Sequence, residues 1–191
     1  MLSSCTGFLV APDLILTAGH CIKDKTDCLK NMWILDYDKS QSTFSKDKIV
    51  YCKEIVDSNA TSDYALLRLT KSISDRAPLK IRRTGKVNPE ADFFVIGHPL
   101  GLPKISTDQA ILRGNLLNKT FTINSDTYSG NSGSPVIDSK TSLVEGVLIK
   151  GDQDFEMDFV SLCQRSVHCD ENSCKGETVL RSASIPSSIL H

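Results

Sequence analysis

Short apolar runs separated by turn residues recur along nearly the whole chain, and they set the expected secondary structure. Most runs have about four to eight residues and many β-branched side chains, a pattern typical of strands. No segment keeps a helical period over three turns, and only residues 185–190 are expected to form a single helical turn. The runs predict strands at residues 7–10, 14–17, 32–35, 49–52, 65–69, 93–96, 110–112, 121–123, 135–137, 143–149, 155–162 and 178–180. The chain is therefore predicted to be all-β.

A polar stretch at residues 72–88, which contains Pro78 and Gly85, is the best candidate for an internal boundary. Proline and glycine interrupt strand patterns and are common in the connections between them. This boundary predicts an N-terminal β-rich half, residues 1–78, and a C-terminal β-rich half, residues 79–191.

The composition is that of an ordinary globular protein, and it excludes several functional classes. The 191 residues carry 22 basic and 23 acidic side chains, so a net charge of −1 offers no basic surface for nucleic acid. No apolar run approaches the roughly 18 residues that a membrane-spanning helix needs. A chain of this length buries roughly 70 % of its unfolded surface, so its core is expected to need no metal or organic cofactor.

Seven cysteines are many for a chain of this size, and they favour an oxidising compartment. We expect disulfides and an extracellular or periplasmic location, while reduced structural cysteines and a metal site remain alternatives. A zinc site in the segment 163–174 would lack the paired C-x2-C spacing of zinc ribbons. Its candidate ligands are Cys163, His168, Cys169 and Cys174. The remaining cysteines are Cys5, Cys21, Cys28 and Cys52, and the odd total leaves at least one free or joined to another chain.

Three segments carry residues suited to nucleophilic catalysis by a serine. His20 lies in the segment T-A-G-H-C, Asp63 precedes an apolar run, and Ser132 lies in G-N-S-G-S-P. A serine nucleophile needs a base to take its hydroxyl proton and an acid to orient that base. It also needs backbone N–H groups directed at the developing oxyanion, which Gly130 and Ser132 could supply. Each segment alone has an ordinary structural explanation, but the order His, Asp, Ser predicts a catalytic triad.

These residues and their flanking motifs resemble the chymotrypsin-fold serine peptidases, and within them the bacterial trypsin-like and glutamyl-endopeptidase-like branch. The resemblance runs from Cys5 to about Gly151. It implies two antiparallel Greek-key β-barrels packed together, the first carrying His20 and Asp63 and the second Ser132. The motifs that carry it are C-T-G-F-L-V at residues 5–10, T-A-G-H-C at 17–21, D-Y-A-L-L at 63–67, I-G-H-P at 96–99, D-T-Y-S-G-N-S-G-S-P-V at 126–136 and G-V-L-I-K-G at 146–151.

The resemblance implies a role for each residue of the site. Ser132 would attack the peptide carbonyl, His20 would act as the general base, and Asp63 would orient His20. The N–H groups of Gly130 and Ser132 would form the oxyanion hole.

Three structural expectations also follow from the resemblance. Cys5 and Cys21 would form a disulfide that fastens the His20 turn to the preceding strand. The family carries a further strand ahead of Cys5, and only four residues precede Cys5 here, so the first barrel is expected to lack its N-terminal strand. Asn131 stands where the pancreatic enzymes have an Asp that binds a new N-terminus, so activation by that salt bridge is not expected.

The substrate preference stays open. Asp126 lies six residues before Ser132, where trypsin-type enzymes place the carboxylate that binds Arg or Lys. Leu148 stands where the glutamyl branch has a histidine that binds an acidic side chain. Basic, acidic and broad preferences all remain alternatives. The residues expected to bind substrate are Asp126, Thr127, Leu148, Lys150 and Gly151.

We therefore predict a secreted serine endopeptidase that hydrolyses peptide bonds through an acyl-enzyme, without a metal or organic cofactor. Its expected partners are peptide or protein substrates, and protein inhibitors are a further class that such a cleft could bind. The alternative is a non-catalytic pseudo-protease of the same fold that acts as an adhesin or binding module.

Overall fold

The computed structural model describes residues 4–40, 45–107, 109–114, 119–167 and 175–189. Nearly all regular structure in these residues is antiparallel strand, with one short helix, α1 (Lys25–Lys30), and several single 3₁₀ turns. The strands are β1 (Gly7–Ala11), β2 (Leu14–Ala18), β3 (Met32–Ile34), β4 (Ile49–Asn59), β5 (Tyr64–Leu69), β6 (Asp92–Gly97), β7 (Ile105–Ser106), β8 (Ala110–Gly114), β9 (Thr120–Ile123), β10 (Pro135–Asp138), β11 (Val144–Lys150), β12 (Phe155–Asp158), β13 (Cys163–Ser166) and β14 (Glu177–Arg181). None of the described helices is both long and apolar enough to cross a membrane.

The first sheet has the strand order β1-β2-β5-β4-β3 and curls into a half-barrel. In the described part of the chain its two edge strands, β1 and β3, are not paired with each other. The indole of Trp33 on β3 packs against Gly7 on β1, and a Cβ at Gly7 would lie 2.6 Å from the ring. Because glycine has no side chain there, the tryptophan can cover the open side of the sheet.

The second sheet closes into a six-stranded barrel in the order β6-β8-β9-β14-β11-β10, because β10 also pairs with β6. Closure leaves no unpaired edge among these strands, apart from the short extension that β7 adds to β6. The inward positions alternate along the strands and fill the barrel with apolar side chains. This core consists of Val87, Ala91, Phe93, Val95, Ala110, Phe121, Ile123, Val136, Leu148 and Val179.

The two sheets share one hydrophobic interface. Leu16 and Leu66 from the first sheet are fully buried in the same cluster as Val147 and Leu180 from the second. Burial of each such aliphatic side chain is worth about 1.5–3 kcal/mol, so the interface holds the two sheets firmly together. The fold is therefore all-β with a closed barrel packed against a half-barrel, and the predicted chymotrypsin-like class is confirmed.

One predicted strand is wrong. The apolar run at residues 155–162 was expected to be a single strand, but β12 ends at Asp158. The Asp158 carboxylate accepts hydrogen bonds from the N–H groups of Val160 and Ser161, which turns the chain and starts the hairpin to β13. The apolar residues of this turn are consequently exposed, Phe159 at 82 % and Val160 at 96 %.

The helix α1 was also missed, because its six residues are too few to show a helical period. The Asp24 side chain caps it by accepting hydrogen bonds from the N–H groups of Thr26 and Asp27. A disulfide between Cys28 and Cys52 anchors the helix to β4. Cys163 is exposed and joined to no cysteine in the described residues, while His168, Cys169 and Cys174 lie outside them.

Candidate active site

The pairing of β2 with β5 brings His20 and Asp63 together. Ala18 lies opposite Tyr64 in this pairing, so the turn that follows β2 meets the residue that precedes β5. The Nδ1 atom of His20 lies 2.9 Å from Oδ2 of Asp63, and the His20 backbone N–H donates to Oδ1 at 2.8 Å. With Nδ1–H donating to the carboxylate, Nε2 is left as the basic nitrogen of the imidazole.

Gly19 makes this approach possible. A Cβ at Gly19 would lie 2.9 Å from the Tyr64 nitrogen and 3.1 Å from Oδ1 of Asp63, which no larger residue could fit without moving the backbone. Asp63 itself adopts a left-handed conformation with φ +57°, which Asp tolerates better than most residues. The His20 side chain is 44 % exposed and the Asp63 side chain 25 %.

The expected link between Cys5 and Cys21 is present as a disulfide, which ties the turn carrying His20 to the chain just before β1. Their sulfur atoms and a His20 ring nitrogen lie close enough together for a metal site by distance alone. Both sulfur atoms are held in the disulfide, however, so they are not available as thiolate ligands. This cluster therefore serves the geometry of the turn.

Ser132 lies in a tight turn just ahead of β10, at the boundary between the two sheets. Its carbonyl oxygen accepts a hydrogen bond from the Thr6 N–H at 2.8 Å and lies 3.8 Å from the sulfur of Cys21. Gly133 has φ +89°, and a Cβ there would lie only 2.1 Å from the Thr6 carbonyl oxygen. The glycine therefore allows the serine turn to pack directly against the chain that carries His20.

The two N–H groups expected to form the oxyanion hole have no hydrogen-bond acceptor in the described part of the chain. Gly130 has φ +102°, and a Cβ at this position would lie 2.5 Å from the His98 carbonyl oxygen. Its own carbonyl oxygen accepts a hydrogen bond from the Thr6 hydroxyl at 2.8 Å, which fixes the orientation of this segment. The N–H groups of Gly130 and Ser132 thus keep their hydrogen-bonding capacity unused within the described residues.

Thr6 is a positioning residue that the sequence patterns did not reveal. It is buried and contacts the nucleophile segment through both its N–H and its hydroxyl, as described above. Its hydroxyl also accepts the His98 N–H at 3.0 Å, and its carbonyl accepts the Thr17 hydroxyl at 2.7 Å. A single side chain thereby joins the two sheets at the site. The sequence signal that could have indicated this role is the position of Thr6 directly after Cys5, in the family-like motif C-T-G-F-L-V at residues 5–10.

A cavity of about 180 Å³ opens beside Ser132. Four of the five residues expected to bind substrate line it, namely Thr127, Leu148, Lys150 and Gly151. The fifth, Asp126, does not line this cavity. It is exposed and lines a neighbouring cavity of about 290 Å³.

Glu177, at the start of β14, is the second residue that sequence reasoning missed. It is only 5 % exposed and lines both cavities. Burial raises the pKa of its carboxyl to about 7, and the nearby charges of Asp154 and Asp152 act in the same direction, against the opposing effect of the Thr127 hydroxyl and the Asp152 N–H. The polar start of the predicted strand at residues 178–180 gave no sign that this side chain points inward.

Solved structures of similar shape are serine proteases. The Rv3671c protease from M. tuberculosis, in its active form, aligns with a TM-score of 0.64 and 20 % identity over 95 % of this chain and 70 % of that one. The serine endoprotease from Yersinia pestis aligns with a TM-score of 0.66 and 15 % identity, and the match spans 97 % of this chain and 57 % of that one. At these identities the likeness concerns the fold. Among curated proteins, none matches the sequence.

The sequence itself decides the family. The model of the trypsin-like peptidase domain matches residues 5–146, which is well over half of the chain and includes every residue of the predicted triad. The chain therefore belongs to the trypsin-like peptidase domain family.

Proposed function

We propose that the protein is a serine endopeptidase with Ser132 as nucleophile, His20 as general base and Asp63 as the residue that orients the base. The observation that carries the proposal is the 2.9 Å contact between His20 Nδ1 and Asp63 Oδ2. The serine turn lies beside it, because the Ser132 carbonyl oxygen is 3.8 Å from the sulfur of Cys21, the residue after His20. A carboxylate on Nδ1 selects the tautomer in which Nε2 can accept the serine proton.

The reaction would proceed through an acyl-enzyme. Oγ of Ser132 attacks the scissile carbonyl carbon while its proton passes to Nε2 of His20. The negative charge that develops on the carbonyl oxygen is stabilised by the N–H groups of Gly130 and Ser132. The C–N bond then breaks, His20 gives its proton to the leaving amine, and water releases the acyl group by the reverse sequence.

The assignment of the oxyanion hole to the N–H groups of Gly130 and Ser132 is supported by their lack of a hydrogen-bond acceptor among the described residues. Loss of one such donor typically costs about 10²–10³-fold in rate. The carbonyls that share a peptide plane with these two N–H groups are already held: the Ser129 carbonyl accepts the Leu100 N–H at 2.6 Å, and the Asn131 carbonyl accepts the Ser134 N–H at 2.9 Å. Both planes are therefore oriented before substrate binds. Such preorganisation is what lets these dipoles stabilise the transition state without a reorganisation cost.

The proposed location is extracellular or periplasmic, and two disulfides support it because such bonds persist in oxidising compartments. Peptides and proteins are the proposed substrates, and protein inhibitors are proposed as ligands of the same cleft. Membership of the glutamyl-endopeptidase-like branch stays a prediction.

An active-site serine probe tests the proposal. A fluorophosphonate should label the wild-type protein, and the Ser132→Ala variant should lose both labelling and peptide cleavage. Ser134→Ala is the matched control, because its buried hydroxyl lies in the same segment and should leave labelling unchanged. Labelling that persists in Ser132→Ala would overturn the assignment. A folded wild-type protein that is not labelled would point to the non-catalytic alternative.

A further inference from the structure

The cavity beside Ser132 is strongly acidic. Three carboxylates line it, those of Asp152, Asp154 and Glu177, against the single cationic side chain of Lys150. Such an excess of negative charge in a partly enclosed site attracts cations and repels anions. Because this cavity lies next to Ser132, a substrate side chain adjacent to the scissile bond would enter the cavity.

Only one of the three carboxylates is both buried and incompletely satisfied. Asp152 is exposed, and its carboxylate accepts hydrogen bonds from the N–H groups of Gln153 and Lys175, both at 3.0 Å. Asp154 accepts the Ser129 N–H at 2.7 Å. In contrast, Oε2 of Glu177 is fully buried and has no hydrogen-bond partner in the described residues.

Burial of a carboxylate oxygen without a partner is unfavourable, so its presence requires an explanation. An ionised carboxylate oxygen can only accept hydrogen bonds, so Oε2 of Glu177 is left for a further donor. A bound cation would supply that donor and would also offset the repulsion from Asp152 and Asp154.

Gly151 allows the Glu177 carboxylate to pack directly against the backbone at the wall of the cavity. A Cβ at this position would lie 2.7 Å from Oε2 of Glu177 and 3.2 Å from Oε1. Any other residue would therefore displace the carboxylate, so glycine at this position keeps Glu177 in the wall of the cavity that opens beside Ser132.

We propose that Glu177 is the specificity-determining residue of the peptidase, and that Oε2 binds the guanidinium or ammonium group of an Arg or Lys on the N-terminal side of the scissile bond. The inference rests on the proposed function, since it needs Ser132 to act as the nucleophile. It assigns this role to Glu177 rather than to Asp126, which lines only the neighbouring cavity.

A pair of matched substrates tests the inference. Two peptides that differ only in arginine or citrulline before the cleaved bond have almost the same shape, but only arginine carries a charge. The ratio of their kcat/KM values isolates the contribution of the acidic partner, because any effect on the triad cancels. We expect wild type to prefer arginine by about 10- to 100-fold, the range for a charge-assisted hydrogen bond.

Three variants distinguish the candidate carboxylates. Glu177→Gln should reduce the arginine-to-citrulline ratio to near one, whereas Asp126→Asn should leave it close to that of wild type. Glu156→Gln, which removes an exposed carboxylate from β12, is the matched control for the loss of one charge. A ratio that survives in Glu177→Gln, or that collapses in Asp126→Asn instead, would overturn the inference.

Fluorophosphonate labelling separates a failure of specificity from a failure of the reaction. Glu156→Gln should be labelled at the wild-type rate, and labelling of Glu177→Gln reports whether Ser132 is still reactive in that variant, because the small neutral probe does not need the acidic cavity. Benzamidine, an aromatic amidinium, should slow the labelling of wild type and not of Glu177→Gln, which gives a binding readout independent of peptide turnover. Normal labelling of wild type without any preference for arginine would refute the inference alone, whereas absence of labelling would refute the proposed function.

Discussion

Replacement of Glu177 with glutamine should stabilise the folded protein at pH 8 and have much less effect at pH 5. The carboxyl is 5 % exposed, and burial raises its pKa from 4.5 to about 7. The folded state therefore binds a proton at pH values where the unfolded state has already lost it. Stability from this group is greatest below pH 4.5 and is lost as the pH rises toward 7.

The pKa difference sets the magnitude. A change from 4.5 to about 7 corresponds to about 3 kcal/mol between the acidic and basic limits. Most of this loss, about 2.5 kcal/mol, falls between pH 5 and pH 8. Because glutamine does not titrate, the Glu177→Gln variant should gain this amount relative to wild type over the same interval. The charged groups that line the two cavities with Glu177 are Arg113, Asp126, Lys150, Asp152 and Asp154.

Urea unfolding at pH 5, 6, 7 and 8 measures the effect. The fluorescence of Trp33, the single tryptophan of the sequence, reports the transition. Glu156→Gln is the control, because this exposed carboxylate should change stability little at any of these pH values. A difference between Glu177→Gln and wild type that stays constant from pH 5 to pH 8 would refute the reasoning, since it would mean that Glu177 does not titrate in this interval.

Three further substitutions test the proposed triad and the hydrogen bonds and disulfide that hold its segments in place. Thr6→Val should lower the free energy of unfolding by about 2–4 kcal/mol and slow fluorophosphonate labelling, because it leaves the Gly130 carbonyl and the His98 N–H without their partner. Thr6→Ser should restore both the stability and the labelling rate. If it restores neither, the role of the hydroxyl is contradicted. Asp63→Asn should lower kcat by about 10⁴-fold with little change in KM, as steady-state kinetics would report. Replacement of both Cys5 and Cys21 by alanine should lower the urea midpoint by an amount equivalent to about 3 kcal/mol, the value for a closed loop of 16 residues.

The sequence was a good guide to the strands and to the contact between His20 and Asp63. Alternating apolar runs reflect the burial of one strand face, and this property depends on neighbours along the chain. The turn at Asp158 was not predicted because the apolar run at residues 155–162 continues past it. The turn depends on the Asp158 carboxylate, which accepts the Val160 N–H. The triad remains a prediction, and it could be made from the sequence because His20, Asp63 and Ser132 each lie in a distinctive local motif.

Residues whose role depends on long-range packing could not be predicted. Thr6 acts on Gly130, 124 positions away, through a hydrogen bond that exists only when the two sheets are packed together. The inward position of Glu177 depends on the pairing of β14 with β9 and β11. The spacing of six residues before Ser132 predicts that Asp126 binds substrate, but the place of Asp126 relative to the cavity depends on the path of the loop. Such positions become apparent only from the structure.

The central claim, that Ser132 forms an acyl-enzyme, is tested most directly by mass spectrometry of the protein during turnover of a p-nitrophenyl ester. An acid quench should trap a species heavier by one acyl group, and peptide mapping should locate that group on Ser132. The species should be absent from Ser132→Ala. A folded, active protein whose acyl group maps to another residue, or that never carries one, would contradict the account.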